Sequence, residues 1–375
     1  MSIQKIYIRF FLYIEEFLSY VVPKNKSLWV YYPRHFRSMG GNIKVVFDYV
    51  DLNYKGTIKQ YILDDCFDGK SKEYNPYIIK RYSIRGMLLS LRANVIFLDT
   101  GNSFNKGRFK VAQLWHGTGY KNIHYSNKNA TSKEIKKYKN VILVPATSTD
   151  DKIRKEKSFL TKNVYLTGSP RNDFFFQDNI AEIKKELKRK FKVENFDKIY
   201  CYAPTFRDTG EFMPFSESFL EKIQVLAKEQ NFVLIIKAHP SASNFPFKKE
   251  YSNIIDASKL IKDVHSLLLI SDLLITDYSG ISSDYALLRR PIVFYTYDFE
   301  DYVAKNRDFY YDIKKILPGP FAYTEDELIK LLGDTSWFNQ PLYQKEFNEY
   351  LKIFHFYEDN QSSKRVVNQI LNLIK

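Results

Sequence analysis

The chain has 375 residues, of which 45% are apolar and 27% are charged, and 57 Lys and Arg against 43 Asp and Glu give a net charge of +14. This composition is ordinary for a soluble globular protein and excludes collagen-like, low-complexity and disordered chains. The length favours two domains. The positive charge favours an anionic partner, such as a nucleic acid, a membrane surface or a phosphate-rich substrate.

The N-terminal segment, residues 3–22, carries apolar residues at helical spacing. Arg9, Glu15 and Glu16 interrupt the apolar run, so the segment is too polar for a membrane-spanning helix and lacks the core of a signal peptide. It predicts an amphipathic helix that lies either on an anionic membrane surface or against its own domain.

Cysteine and histidine usage gives no sign of a disulfide framework or a metal centre. The two cysteines, Cys66 and Cys201, are too few for a framework and favour a reducing compartment. The six histidines show no HExxH or HxH spacing. We therefore expect no metal site.

Short apolar runs alternate with polar helical stretches along the chain, which predicts an α/β protein with parallel sheets. Strands are expected at 28–32, 57–63, 95–98, 111–114, 141–145, 164–167, 199–203, 233–237, 273–276 and 292–295. Helices are expected at 131–139, 180–192, 216–230, 263–270, 281–289, 325–332 and 361–370. A loop at 172–179 divides the chain into two predicted domains, 1–178 and 179–375, with the last helix a candidate to pack back on the first. We expect two doubly wound domains that face each other across a cleft, with ligands at the carboxyl ends of the strands.

The most informative stretch is 273–298, LLITDYSGISSDYALLRRPIVFYTYD. A strand ends at Thr276, a polar turn follows through Asp277, Ser279 and Gly280, and a helix begins with two serines. Such a helix start either binds a phosphate through its free N–H groups or is a plain capped helix.

Four further loops follow predicted strands. VAQLWHGTGYKN contains His116, and a histidine at a strand end beside glycines is either suited to general base catalysis or a loop histidine held by a backbone carbonyl. VLIIKAHPS contains His239 before a stiff proline. CYAPTFRD contains Arg207, which can clamp a phosphate through two hydrogen bonds, and in TGSPRND a strand end is followed by Arg171. Together these loops predict a cleft for a phosphorylated, nucleotide-like ligand.

These motifs resemble those of the CDP-glycerol glycerophosphotransferase family, the enzymes of teichoic acid synthesis. The resemblance continues through RDFYYD, PGPFAYTEDEL and FYEDNQSSKRVV and spans residue 95 to the C-terminus. It implies a GT-B fold of two Rossmann-like domains, with the donor nucleotide held by the second. It also implies transfer of a polyol phosphate from a CDP-activated donor to an acceptor hydroxyl, with release of CMP.

The resemblance assigns the catalytic roles to His116 and His239. The substrate-binding positions that follow from it and from the loops are Gly117, Thr118, Arg171, Asn172, Asp173, Thr205, Arg207, Asp208, Pro240, Thr276, Asp277, Ser279, Gly280, Ser282, Ser283 and Asp284. Two positions depart from the family pattern: Gly119 stands where polymerising members commonly have proline, and Gly280 where many have serine. The donor polyol and the acceptor therefore stay open.

The partners expected are a CDP-polyol donor, a lipid-linked glycan or polymer acceptor and an anionic membrane surface, with no cofactor and no nucleic acid. The expected location is cytoplasmic, peripheral on the inner face of the cell membrane. Two alternatives remain. One is a GT-B glycosyltransferase that uses a sugar nucleotide, and the other is a non-catalytic basic module that binds membrane or nucleic acid. The dispersed lysines, which match no nucleic-acid-binding motif, disfavour the second.

Overall fold

The computed structural model describes residues 3–34, 39–65, 72–126, 138–205, 214–238, 250–258, 264–305 and 309–375. The chain divides into two compact units. Unit 1 comprises Met1–His116, Ile123–Asp173 and Asp359–Lys375, and unit 2 comprises Gly117–Asn122 and Phe174–Glu358. Unit 1 is therefore built from three separate stretches of sequence, the last of which follows all of unit 2.

Within its described residues, unit 1 contains a seven-stranded parallel sheet. Its strands are β1 (Asn25–Tyr32), β2 (Lys59–Asp64), β3 (Ile78–Lys80), β4 (Ala93–Leu98), β5 (Val111–Gln113), β6 (Val141–Ala146) and β7 (Val164–Leu166). They lie in the order β3-β2-β1-β4-β5-β6-β7. Strands β1 to β3 are added towards one edge of the sheet and strands β4 to β7 towards the other, so the switch point lies between β1 and β4. Doubly wound sheets bind ligands at this position.

The described part of unit 2 contains a six-stranded parallel sheet. Its strands are β8 (Lys198–Tyr202), β9 (Phe232–Ile236), β10 (Ile254–Asp256), β11 (Leu273–Thr276), β12 (Ile292–Tyr295) and β13 (Phe321–Ala322), in the order β10-β9-β8-β11-β12-β13. Alternate residues of β8 enter different cores, since Ile199 and Cys201 pack in one cluster and Tyr200 and Tyr202 in the other. Helices cover both faces of the sheet and bury both sets of strand residues. The switch point of this sheet, where the order of strand addition changes direction, lies between β8 and β11.

The described helices, numbered in chain order, are α1 (Ile3–Leu18), α2 (Gly41–Asn53), α3 (Ile84–Arg92), α4 (Thr149–Phe159), α5 (Ile180–Phe191), α6 (Glu217–Glu229), α7 (Val264–Ile270), α8 (Ile281–Ala286), α9 (Phe299–Lys305), α10 (Ile313–Ile316), α11 (Glu325–Gly333), α12 (Pro341–Phe354) and α13 (Ser362–Leu373). Helices α1–α4 and α13 belong to unit 1. Two doubly wound parallel α/β units confirm the predicted fold class. Most of the helix expected at 131–139 lies outside the described residues.

The N-terminal helix α1 has one face against unit 1 and one apolar face in solvent. Phe11 and Glu15 are buried, and the Glu15 carboxylate accepts two hydrogen bonds from Arg81, at 2.9 and 2.5 Å. The outward face exposes Ile6, Tyr7, Phe10, Tyr13 and Phe17, and the turn after the helix exposes Tyr20 and Val21. None of the helices in the described ranges has both the length and the hydrophobicity needed to cross a bilayer.

The described residues contain no disulfide bond. Cys201 is a free, buried thiol on β8, and burial raises its pKa to about 12. It therefore acts as a small apolar side chain in the core. Cys66 lies outside the described residues.

Candidate functional site

In unit 2, the loops that follow β8 and β11 are joined at the switch point of the sheet. The Asp277 carboxylate accepts a hydrogen bond from the Thr205 backbone N–H at 2.8 Å and another from the Tyr278 N–H at 2.5 Å. Thr276 closes β11 by donating its hydroxyl to the Ala203 carbonyl at 2.7 Å. The predicted residues Thr205 and Asp277 therefore lie side by side where such sheets bind ligands.

The turn after β11 presents only some of its predicted residues to solvent. Ser282, Ser283 and Asp284 are fully buried, whereas Ser279 and Gly280 are half-buried. The Ser282 hydroxyl lies 3.0 Å from the Ser279 carbonyl and 2.9 Å from the Tyr350 hydroxyl. Buried hydroxyls that already have protein partners hold the shape of the turn, and among these residues only Ser279 and Gly280 are partly exposed to solvent.

The short segment Gly117–Asn122 packs directly on this turn. The Ser283 hydroxyl lies 3.0 Å from the Thr118 carbonyl, and a Cβ at position 280 would lie 2.6 Å from that same carbonyl oxygen and 3.2 Å from the Gly119 Cα. Only glycine at position 280 fits this approach of two backbones. The two departures from the family pattern, Gly119 and Gly280, are therefore in contact with each other.

The same segment brings Lys121, which was not among the predicted site residues, to the switch point. Lys121 donates from Nζ to the Thr205 hydroxyl at 3.1 Å, and the Tyr120 hydroxyl donates to the Ser279 carbonyl at 3.2 Å. Lys121 therefore supplies a positive charge beside Thr205, where a phosphate would be stabilised. Its place in the glycine-containing loop was the available signal.

In unit 1, His116 follows β5 and is held beside the switch point between β1 and β4. Its Nδ1 lies 2.9 Å from the Asp99 carbonyl oxygen, one residue beyond β4. A carbonyl only accepts, so Nδ1 carries the proton and Nε2 carries the basic lone pair. Trp115, whose backbone φ is +54°, packs its ring on the imidazole with 4.1 Å between the ring centroids.

The predicted residues Arg171, Asn172 and Asp173 have three different surroundings. The Arg171 guanidinium donates to the His116 carbonyl. Asn172 is 4% exposed, and its amide nitrogen and oxygen have no hydrogen-bond partner among the described residues. An amide buried in this state is a candidate for ligand or water contact.

Asp173 caps the C-terminal helix α13. Its carboxylate accepts hydrogen bonds from the backbone N–H groups of Ser362, at 2.9 Å, and Ser363, at 2.8 Å. Burial raises the pKa of this carboxyl group, and the hydrogen bonds from Ser363 and Ser362 act in the opposite direction. Asp173 therefore fixes α13 in unit 1.

Four of the predicted site residues, His239, Pro240, Arg207 and Asp208, lie outside the described residues. Among the described residues, no cluster of three or more His, Cys, Asp or Glu side chains is placed to hold a metal ion. The expectation that neither metal nor cofactor is needed stays a prediction.

The fold and these two loop systems define the class of protein: a two-unit, doubly wound α/β protein of GT-B type, with polar loops at the carboxyl ends of both sheets. A family model described as CDP-Glycerol:Poly(glycerophosphate) glycerophosphotransferase matches residues 14–372. The chain belongs to this family, which confirms the resemblance seen in the sequence.

Characterised relatives of the chain act in teichoic acid synthesis. It is 31% identical over 277 residues to a teichoic acid poly(ribitol-phosphate) polymerase of Bacillus spizizenii, covering 70% of this chain and 43% of that protein. It is 28% identical over 379 residues to a teichoic acid poly(glycerol phosphate) polymerase of the same species, covering 94% of this chain and 93% of that protein. The chain thus spans less than half of the first relative and nearly all of the second.

The fold is also that of a solved structure. A variant of the wall teichoic acid polymerase TagF, soaked with CDPG, superposes with a TM-score of 0.83 at 22% identity, covering 99% of this chain and 96% of that one. Because the sequence identity is only 22%, this similarity establishes the fold of the chain and says nothing about its substrate.

Proposed function

We propose that this protein transfers glycerol phosphate, or a related polyol phosphate, from a CDP-linked donor to the hydroxyl of a lipid-linked glycan or polyol-phosphate acceptor. The product would enter teichoic acid or a related cell-surface polymer. Three similar proteins support this proposal: the two Bacillus polymerases and a teichoic acid glycerol-phosphate transferase of Staphylococcus aureus. The observation that carries it is the His116 imidazole, oriented by Asp99 with Nε2 as its basic atom.

The proposed reaction is a displacement at the polyol-bearing phosphorus of the donor. His116 Nε2 takes the proton of the acceptor hydroxyl while the acceptor oxygen forms a bond to that phosphorus. The bond between this phosphorus and the bridging oxygen breaks, and CMP leaves with both electrons of the bond. A positioned base of this kind contributes about 10²- to 10⁴-fold to the rate.

Stabilisation of the phosphoryl oxygens is assigned to unit 2. Lys121 and Thr205 at the switch point, together with the half-buried turn of Ser279 and Gly280, supply a positive charge, a hydroxyl and backbone N–H groups. Electrostatic contacts of this type usually provide the larger share of the rate in phosphoryl transfer. By the family resemblance, His239 and Arg207 would assist the departure of CMP.

The donor assignment is tested by binding and by products. CDP is expected to raise the melting temperature, because a ligand that binds only the native state stabilises it by mass action. Incubation of the protein and a lipid-linked acceptor analogue with CDP-glycerol or CDP-ribitol should release CMP, whereas incubation with a UDP-sugar should release no UDP. A Ser279→Ala variant should lose part of the CDP shift and keep the melting temperature of the free protein. A shift with UDP alone, and UDP as the product, would favour the glycosyltransferase alternative.

We also propose that the protein attaches to an anionic membrane surface through the exposed face of α1. Helix α1 packs on α3, and the Tyr7 hydroxyl donates a hydrogen bond of 2.9 Å to the carbonyl of Tyr82, which precedes α3. Helix α3 itself exposes Ile84 and Leu88. An apolar face flanked by basic residues binds at the headgroup level, with about 1 kcal/mol per nearby Lys or Arg.

Replacing two outward aromatic residues of α1 should release the protein from liposomes. The double variant Phe10→Glu/Phe17→Glu removes apolar area and adds two negative charges, so pelleting with anionic vesicles should fall severalfold. The control Leu52→Glu/Leu342→Glu makes the same charge change at exposed apolar residues of α2 and α12 and should pellet like the unmodified protein. Equal pelleting of both variants would assign the α1 face to another role.

A further inference from the structure

Asn42, the second residue of α2, uses every hydrogen-bonding position of its side chain inside unit 1. Its amide nitrogen donates to the carbonyls of Leu114, at 2.9 Å, and Trp115, at 3.1 Å. Its amide oxygen accepts from the Ser169 hydroxyl and from the Arg171 backbone N–H, both at 3.0 Å. The residue is 3% exposed, so these four bonds form away from solvent.

These bonds join three segments that are far apart in the sequence. They link the start of α2, the chain that leaves β5 towards His116, and the loop that carries Arg171. The Trp115 backbone has φ of +54°, a left-handed conformation that is unfavourable for a non-glycine residue. Such a conformation persists only where surrounding contacts determine it, and the bond from Asn42 to the Trp115 carbonyl is one of them.

The contacts continue directly to the imidazole. Asn42 holds the Trp115 carbonyl, Arg171 holds the His116 carbonyl, and Asp99 accepts from His116 Nδ1. The Arg171 backbone is in turn fixed by the amide oxygen of Asn42. Two successive peptide groups next to the proposed base therefore depend on one buried side chain.

We propose that Asn42 is the positioning residue that sets the backbone and the tautomer of His116. This inference rests on the proposed function, because it gives the orientation of His116 a catalytic purpose. Asn42 contributes nothing to donor binding, because its four hydrogen-bond partners are three backbone groups of unit 1 and the Ser169 hydroxyl. Its loss should therefore lower kcat and leave the donor affinity unchanged.

The test uses Asn42→Asp, which keeps the side-chain shape and the accepting oxygen. The substitution replaces the NH₂ group by an oxygen that faces two carbonyl oxygens, so the chain before His116 must shift. A displacement of the catalytic group by about 1 Å can cost about 10²-fold in rate. We expect kcat to fall by that factor with the donor Kd unchanged. The ¹⁵N spectra of the His116 imidazole should change from a single Nδ1–H tautomer to a mixture.

A matched control and a milder variant make the result specific. Asn94→Asp makes the same chemical change in a buried asparagine whose amide donates to the Lys26 carbonyl at the opposite end of β4, and it should keep both kcat and the tautomer. Ser169→Ala removes a single bond to Asn42 and should lower kcat severalfold in a fully folded protein.

Normal kcat and an unchanged tautomer in Ser169→Ala and in folded Asn42→Asp would overturn the proposal. Failure of the proposed function would look different. The unmodified protein would then release no CMP from a CDP-polyol, while the imidazole spectra would still show whether Asn42 sets the tautomer. If Asn42→Asp did not fold, the kcat and spectra of Ser169→Ala would decide.

Discussion

Replacing His116 with alanine is expected to reduce turnover of the CDP-polyol donor by at least about 10²-fold. The imidazole is the group proposed to take the acceptor proton, and its Nδ1 bond to Asp99 leaves Nε2 as the base. Because donor contacts are assigned to unit 2, donor affinity in calorimetry should stay within about twofold. The CDP-induced rise in melting temperature serves as the control for folding and binding.

The second predicted histidine should behave differently. By the family resemblance, His239 acts on the donor side, so His239→Ala should lose turnover and also weaken donor binding. If His116→Ala kept substantial activity, the general-base role would have to be given up. If His239→Ala lost turnover with full donor affinity, the two roles would need to be exchanged.

Replacing Arg81 with methionine should lower the free energy of unfolding by about 3–5 kcal/mol, because it leaves the Glu15 carboxylate buried without its partner. The two side chains are 0% and 2% exposed and are joined by two hydrogen bonds. The phenyl ring of Phe104 also packs on the guanidinium, with 4.5 Å to the ring centroid. Urea unfolding followed by circular dichroism measures the change.

A pair of the same chemistry at the surface provides the control. Arg289 makes two hydrogen bonds of 2.9 Å to Glu358, with side chains 54% and 38% exposed. Arg289→Met should cost less than about 1 kcal/mol, since water solvates either partner alone. The double variant Arg81→Met/Glu15→Leu should recover most of the stability lost by Arg81→Met, because it buries no unpaired charge. Equal losses in Arg81→Met and Arg289→Met would show that burial does not set the strength of the first pair.

The sheets were predictable because their central strands are nearly continuous apolar runs bounded by polar turns. The strands 199–203, 233–237, 273–276 and 292–295 are confirmed to within one or two residues as β8, β9, β11 and β12. The short strands β3, β10 and β13 were missed because two or three residues carry little periodicity, although β5 and β7, with three residues each, were predicted at 111–114 and 164–167. Helices α2, α3, α4, α9, α10 and α12 were not predicted either.

The sequence predicted the location of the candidate site, at the ends of the strands, better than it predicted the role of each residue there. The serines after β11 follow a pattern typical of an anion site, yet a sequence pattern does not tell which hydroxyls turn inward, and Ser282 and Ser283 do. Asn42 matched no motif. Its partners are 72 to 129 positions away in the sequence, so its role depends on how unit 1 folds.

The division of unit 1 into three stretches has a consequence for biosynthesis. Val366, Val367 and Ile370 of α13 belong to the same core cluster as Trp29 and Tyr31 of β1. Domains usually fold in order as the ribosome releases them, the N-terminal one first. Here the first strands to emerge must wait with part of their core uncovered until residues 359–375 follow. We therefore expect unit 2, whose stretch of Phe174–Glu358 is complete earlier, to become compact first, and nascent chains stalled before residue 359 to be protease-sensitive in unit 1.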